Sequence, residues 1–418
     1  MPMSRASGRR ARRVRRTACA AVLLGLAAAG QAAAQATPAQ PGGLAIRLAV
    51  PDGTPEGAGV YVAGTFNDWN PGADGWRLVR EGALYAITLP DSVRGPIEFK
   101  FTLGSWDRVE LTASGGDVPN RTFTVPPTGA ITWTGAVGAW RSGPAAPRAH
   151  SATASVSVLS DSFAIPQLGR TRRVWLYLPP DYATSQRRYP VLYLQDGQNV
   201  FDAATSFAGE WGVDETLDSL HAAGDPGVIV VGVDNGGAQR MNEYMPWPSA
   251  NRRLGGGEGG AYVDFLARTL KPWVDAHYRT RPDRASTGVG GSSLGGLISV
   301  YAALRYPAVF GRVLAFSTPF YINPEIFALA RALRPRRPAA RFYLDTGLNE
   351  GVTAPDTNRA MARTQGAMVD TLAAAGADTA RDVRALLPAD GAHAEWFWRR
   401  EFPAAYRWLF APAGRGPR

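Results

Sequence analysis

The sequence predicts an α/β chain: a mostly parallel sheet wrapped by helices, preceded by a small all-β sandwich. Three observations carry this. Seven short strand-like runs alternate with helix-like stretches beyond residue 156, and several are apolar throughout, as strands covered on both faces are. Before residue 135 the rhythm differs, with short apolar runs broken by turn residues and no helical period. Between the two lies Gly135–Ser155, rich in Ala, Gly, Pro and Ser, which reads as an interdomain linker.

The beginning of the chain reads differently again. Arg5, Arg9, Arg10, Arg12, Arg13, Arg15 and Arg16 precede an apolar run from Ala18 to Ala29, followed by Ala34-Gln35-Ala36. A basic start, a short apolar stretch and a small-x-small site make a secretory signal peptide over 1–36, and the run is too short to span a bilayer at ~20 residues. The formal net charge of +10 is concentrated there, because no acidic residue precedes residue 37. The remainder holds 38 basic against 35 acidic residues, which argues against a nucleic-acid partner and, after cleavage, a membrane partner. Cys19 is the single cysteine and falls in the removed segment, so the mature chain is expected to have no disulfide and no thiolate metal site. The expectation is a periplasmic or secreted protein.

The sandwich is expected over 44–134, with strands at Leu44–Val50, Val60–Ala63, Tyr85–Leu89, Ile97–Leu103 and Thr122–Val125. Over 156–412 the strand-like runs are Val174–Leu178, Val191–Gln195, Val228–Val233, Thr287–Gly290, Val313–Phe316, Phe342–Asp345 and Val383–Leu387. Ala261–Tyr278 and Leu294–Tyr306 are the clearest helices.

Gly291-Ser292-Ser293-Leu294-Gly295 is the one G-x-S-x-G in the chain, and it stands between a strand-like run and a helix. That is the nucleophile-elbow arrangement of the α/β-hydrolase fold, in which a serine sits on a strained turn and flanking glycines relieve crowding. Ser293 is the candidate nucleophile, and the Leu294 N–H is one candidate oxyanion donor at the helix start. The second is the Gln198 N–H in Asp196-Gly197-Gln198-Asn199, which follows an early strand.

Of four histidines, His150 is in the linker, His221 precedes the nucleophile strand, and His277 stands near a helix end beside Tyr278. His393 follows the last strand in Asp390-Gly391-Ala392-His393, where the chain order serine, acid, histidine puts the base. The acid is sought between them. Glu350, in the loop after Phe342–Asp345, is the first choice; Asp345 is second and Asp356 third. Such a triad needs no cofactor and no metal.

Residues of about 165–410 resemble the esterase D-type family, which includes feruloyl esterases, enterochelin-type siderophore esterases and mycolyltransferases. The stretches that carry the resemblance are Tyr193–Asp202, Val231–Asn235, Arg279–Arg284, Gly291–Leu297 and Gly391–His393. It implies an α/β-hydrolase fold and a triad of Ser293, an acid in the Gly347–Glu350 loop, and His393. It also implies Trp211, Glu243 and Tyr244 as substrate contacts. The implied activity is serine ester hydrolysis, and export together with a sugar-binding-type N-terminal module points to carbohydrate-linked or phenolic esters. Siderophore-ester hydrolysis and acyl transfer are the alternatives within the fold, and a non-catalytic carbohydrate-binding protein is the alternative outside it.

The N-terminal region is similar to starch- and glycogen-binding sandwich modules through Gly64–Pro71, Glu98–Phe101, Gly104–Trp106 and Asn120-Arg121. That similarity implies Trp69, Lys100, Trp106 and Asn120 as contacts to a glucan or other carbohydrate, indole faces stacking on sugar faces. The competing expectation is that these tryptophans pack the sandwich core.

Overall fold

The computed structural model describes residues 43–410, apart from 68, 117, 119, 144–147, 208, 250–254, 333–339 and 351–354. The expected signal segment 1–36, with Cys19, therefore lies outside the described residues. Among these residues no helix is long and apolar enough to cross a membrane.

Nine strands form the N-terminal all-β region: β1 (Leu44–Ala49), β2 (Val60–Gly64), β3 (Arg77–Glu81), β4 (Leu84–Thr88), β5 (Gly95–Thr102), β6 (Glu110–Leu111), β7 (Arg121–Val125), β8 (Ile131–Ala136) and β9 (Ala139–Trp140). Seven of them run β7-β5-β2-β3-β4-β1-β8, and β6 pairs with β9. β3 joins the two halves, pairing through Leu78 with β2 and through Val79–Glu81 with β4. Alternate residues of both halves (Leu44, Ile46 and Leu48 from one; Val60, Val62, Phe99 and Phe101 from the other) enter one core, which is why they alternate in the sequence.

Two features depart from expectation. β8 runs to Ala136, and β9 lies within the stretch that reads as linker, so the β region extends past residue 134. β3 and β8 were not anticipated because β3 buries only Leu78 and β8 alternates threonine with half-buried residues, so neither shows an apolar run.

The second sheet runs β10 (Val156–Ile165), β11 (Arg170–Tyr177), β13 (Ile229–Val233), β12 (Val191–Gln195), β14 (Thr287–Ser292), β15 (Arg312–Phe316), β16 (Arg341–Asp345) and β17 (Val383–Leu386). β10 and β11 are antiparallel, and the pairs from β13 onward are parallel. Every residue of β12, β13 and β14 is buried. Val191 and Tyr193 face one apolar cluster, while Leu192 and Leu194 face the other. This explains the unbroken apolar runs: both faces are covered.

The helices are α1 (Val213–Ala222), α2 (Arg240–Tyr244), α3 (Gly259–Phe265), α4 (Lys271–His277), α5 (Leu294–Arg305), α6 (Ile326–Arg331), α7 (Pro355–Ala374) and α8 (Glu395–Phe410). α1 and α8 supply one cluster; α3, α4, α5 and α6 contribute to the other. The single helix expected over Ala261–Tyr278 is interrupted by a π segment, Leu266–Leu270.

In the β region, Arg121 forks onto Glu110, whose side chain is fully buried, with Nε–Oε2 at 2.9 Å and Nη2–Oε2 at 2.6 Å. Glu110 also accepts the Phe101 N–H at 3.0 Å. Removing the guanidinium strands that carboxylate away from water. Arg121→Leu is expected to destabilise the region by about 3 kcal/mol, read as an earlier urea transition in tryptophan fluorescence.

Candidate active site

β14 ends in a turn that places Ser293 at φ 56°, ψ −128°, ahead of α5. A non-glycine residue there is strained, and strain of this kind costs roughly 1–3 kcal/mol. The turn is feasible because its flanks carry no side chains. A Cβ on Gly291 would lie 2.8 Å from the Gly295 carbonyl carbon, and one on Gly295 would lie 3.1 Å from Asp196 Oδ2. The Ser293 N–H donates to the Phe316 carbonyl at 2.8 Å, tying the turn to β15. Its hydroxyl makes no hydrogen bond among the described residues.

The next residue along β15 begins a polar chain toward the base. Ser317, itself at φ 46°, donates its hydroxyl to Glu350 Oε1 at 2.9 Å. The Gly347 N–H donates to the same oxygen at 2.6 Å. His393 Nδ1 lies 2.8 Å from Glu350 Oε2, and because a carboxylate only accepts, Nδ1 carries the proton. Nε2 is then the basic nitrogen. Trp398 holds both ends of this arrangement: its Nε1–H donates to Ser317 Oγ at 2.9 Å, and its ring meets the imidazole edge to face, centroids 5.3 Å apart.

The two acids considered from the sequence occupy opposite environments. Glu350 is 1 % exposed and accepts three hydrogen bonds through its carboxylate. Asp345 is equally buried, yet neither of its carboxyl oxygens meets a donor among the described residues. Burial, reinforced by the Glu401 charge, pushes the Asp345 carboxyl up to about 7. The structure brings Glu350, not Asp345, to His393. The side chain of Asp356 lies outside what is described.

On the oxyanion side, β12 and β14 pair Leu194 with Gly290, so the turns that follow them are neighbours. Asp196, at φ 56°, opens the first turn and is pinned by Arg240 (2.7 and 2.8 Å) and Asn235 (2.7 Å). Gln198 is anchored by its side-chain oxygen, which accepts the Asn235 N–H at 3.1 Å, and by its carbonyl, which accepts the Thr205 hydroxyl at 2.8 Å. The backbone N–H groups of Gln198 and Leu294 donate to nothing among the described residues.

The substrate-contact expectations need correction. Trp211 is 3 % exposed, packed between Phe316 and Trp398 with centroids at 5.5 and 5.8 Å. Glu243 is fully buried beneath Arg170 and Arg172, and Tyr244, also fully buried, accepts the Asp196 N–H at 3.1 Å. Trp211 and Tyr244 support the site from below, while Glu243 is spent on the two arginines.

The other histidines have partners elsewhere. His150 pairs with Asp202 at 2.6 Å, His221 lies 3.6 Å from Asp181, and His277 stacks on Trp273. Sequence reasoning missed Ser317, Trp398 and Arg240. A tryptophan five residues beyond the base was the one available signal; Ser317 at a strand end offered none.

In the β region, Trp69 is half-buried and Trp106 is 39 % exposed, with centroids 6.2 Å apart. Lys100 stands opposite Ala63, and Asn120 donates to Glu98 at 3.0 Å. The indoles packed against the core are Trp76, Trp133 and Trp140, with Trp133 edge-on to Phe99 at 5.2 Å.

A parallel sheet that presents a strained serine before a helix, with a carboxylate-held histidine after its last strand, defines an α/β-hydrolase-type enzyme. Residues 165–409 match the family described as "Putative esterase", and the chain belongs to that esterase family: it is a carboxylic-ester hydrolase. The uncharacterized protein YbbA of Bacillus subtilis is 29% identical over 246 residues, 57% of this chain and 92% of its own length. An alpha-amylase of Niallia circulans is 42% identical over 96 residues, 23% of this chain but 7% of that enzyme, which fits a carbohydrate-binding module at the N-terminus. A solved structure of the enterobactin esterase FES from Shigella flexneri aligns at TM-score 0.48 and 18% identity, covering 85% of this chain and 88% of that one.

Two outcomes are expected here. Glu350→Gln cannot accept the Nδ1 proton with the same charge, so kcat for a simple ester should fall about 10²–10⁴-fold with circular dichroism unchanged. Asp345, with its folded pKa near 7 against an ordinary 3.9, contributes fully to stability below pH about 4. That contribution is lost as pH rises to 7, at about 1.4 kcal/mol per pH unit. Urea midpoints of Asp345→Asn should therefore vary less between pH 4 and 8 than those of the natural chain.

Proposed function

We propose that the protein is an exported serine esterase that hydrolyses carbohydrate-linked or phenolic esters through an acyl-enzyme on Ser293. The observation that carries the mechanism is the connected path from the Ser293 turn through Ser317 and Glu350 to His393. In this reading His393 Nε2 takes the Ser293 proton as Oγ attacks the ester carbonyl. The Leu294 and Gln198 amides receive the developing oxyanion, and the imidazolium, stabilised by Glu350, protonates the leaving alcohol. Water then follows the same route and releases the acid.

The substrate class rests on two supports. Phe207, Tyr321, Leu348 and Trp396 are exposed at 88, 40, 47 and 51 %. They leave the carboxyl ends of β12, β15, β16 and β17, which are the strand ends that carry the site residues. Exposed apolar side chains on the loops at that end of the sheet suit an aromatic acyl group. The accessible Trp69–Trp106 pair, in a region similar to an alpha-amylase segment, suits a carbohydrate. Export rests on the 1–36 pattern alone, and the division into a sandwich, a connecting segment and an esterase domain belongs to the same reading.

Ser293→Ala should abolish labelling by a fluorophosphonate and lower p-nitrophenyl acetate hydrolysis by at least about 10³-fold. Labelling that persists in the variant would overturn the assignment of Ser293. Phe207→Ala and Trp396→Ala should raise KM for methyl ferulate several-fold while leaving acetate hydrolysis near its starting value.

A further inference from the structure

Close to the site, but outside its chemistry, three carboxyls converge. Asp214 and Glu215 occupy the first turn of α1, and Glu210 lies just before that helix. One oxygen from each falls within 4.8 Å of the others. Asp214 is fully buried, and the side chain of Glu210 is 7 % exposed.

The donors present do not satisfy them. Asp214 Oδ2 accepts the Thr153 N–H at 2.7 Å, and Glu210 Oε1 accepts the Ser151 hydroxyl at 2.8 Å. Asp214 Oδ1 and Glu215 Oε2 are buried and meet no hydrogen-bond donor among the described residues. One guanidinium, Arg399, approaches Glu210 at 3.5 Å and Glu215 at 3.9 Å, beyond good hydrogen-bond range. Burial first, with the neighbouring Glu215, pushes the Asp214 carboxyl up. Without an ion, the cluster relieves its crowding by holding a proton: burial raises the Glu210 carboxyl as well, and Asp214 and Glu215 share a side-chain hydrogen bond that only a protonated carboxyl can donate.

We propose that Glu210, Asp214 and Glu215 form a calcium site. The donors are all hard oxygens, which excludes a preference for zinc or copper. Oxygens up to 4.8 Å apart can share an ion at the 2.3–2.6 Å typical of calcium. Magnesium, at about 2.0–2.1 Å and strictly octahedral, suits three carboxyls from one helix turn and its approach less well. A divalent ion takes the place of that proton and gives both inward oxygens a shared partner. It also fixes a junction: Ser151 and Thr153, on the segment leading into β10, are bonded to two of the three ligands. Trp211, next to Glu210, packs on the Trp398 that supports Ser317. The sequence offers no reason to expect a metal, because the mature chain is expected to lack cysteine and the triad needs none; a site built wholly of carboxylates departs from that expectation.

The test uses the full chain, stripped with a chelator and titrated with calcium chloride by calorimetry and thermal melting. Calcium is expected to bind at one site and to raise Tm by about 5 °C or more at 100 times Kd. Asp214→Asn and the more exposed Glu215→Gln should each weaken binding at least about tenfold, the second serving should the first fail to fold. Without calcium, Glu215→Gln should melt no lower than the natural chain, because it relieves repulsion. No heat and no Tm shift up to about 10 mM calcium would overturn the proposal, as would an undiminished response in the variants. An equal response to magnesium chloride would overturn the choice of calcium.

Discussion

A carboxylate shut away from water has to find its donors in the protein, and Glu350 shows what that requirement builds. Three donors converge on it from three separate parts of the chain: Ser317 after β15, Gly347 after β16 and His393 after β17. Each neutral hydrogen bond adds about 1 kcal/mol, and those to a charged acceptor add more, but leaving the carboxylate unmet would cost several. The loops at the carboxyl ends of three parallel strands are therefore held in one arrangement by one side chain. The imidazole takes its tautomer from the same contact.

The serine turn depends on a second constraint, which is space. Ser293 keeps a positive φ because α5 closes onto the loop after β12, with Gly295 against Asp196 and Gln195 and no room for a side chain between them. That closeness also places the Leu294 amide beside the Gln198 turn. Asp196 is in turn immobilised by Arg240, whose guanidinium lies 5.1 Å from the Tyr244 ring centroid. Residues without any part in bond making thus fix the two turns against each other. The same closeness explains why Tyr244 and Trp211 are near the chemistry while remaining buried beneath it.

Much of this was legible in the sequence, for identifiable reasons. The central strands announced themselves because both faces are buried, so Val191–Gln195 and Val313–Phe316 contain almost nothing polar. The elbow was legible because its geometry demands glycine at fixed spacing. β10 was missed because it is an edge strand with serine and aspartate on its exposed positions. Ser317 was missed because its role comes from a positive φ and from partners 33 and 81 residues away, which no local pattern encodes. Choosing between Glu350 and Asp345 likewise required knowing which carboxyl met donors, a property of the folded neighbourhood and not of position in a loop.

The tryptophans of the β region make the same point about the limit of residue identity. Trp133 and Trp106 are the same side chain, and composition cannot separate them. Trp133 is on β8, edge-on to Phe99 and 5.3 Å beneath the Arg121 guanidinium, so its indole is spent on the core. Trp106 stands beside Trp69, whose backbone is held at φ 55°, a conformation that a large side chain adopts only where the surrounding structure imposes it. A core indole needs no such backbone, since Trp133 sits on an ordinary strand. The Trp69 backbone is set by the turn after β2, where its N–H donates to the Gly64 carbonyl at 3.0 Å and Asn67 ties the same turn to Val62, so the turn and not the core fixes where this indole stands. Under the proposed function, even weak sugar binding at this pair would matter, because an ester on the same polymer would be presented to the esterase at the effective concentration of a tethered site.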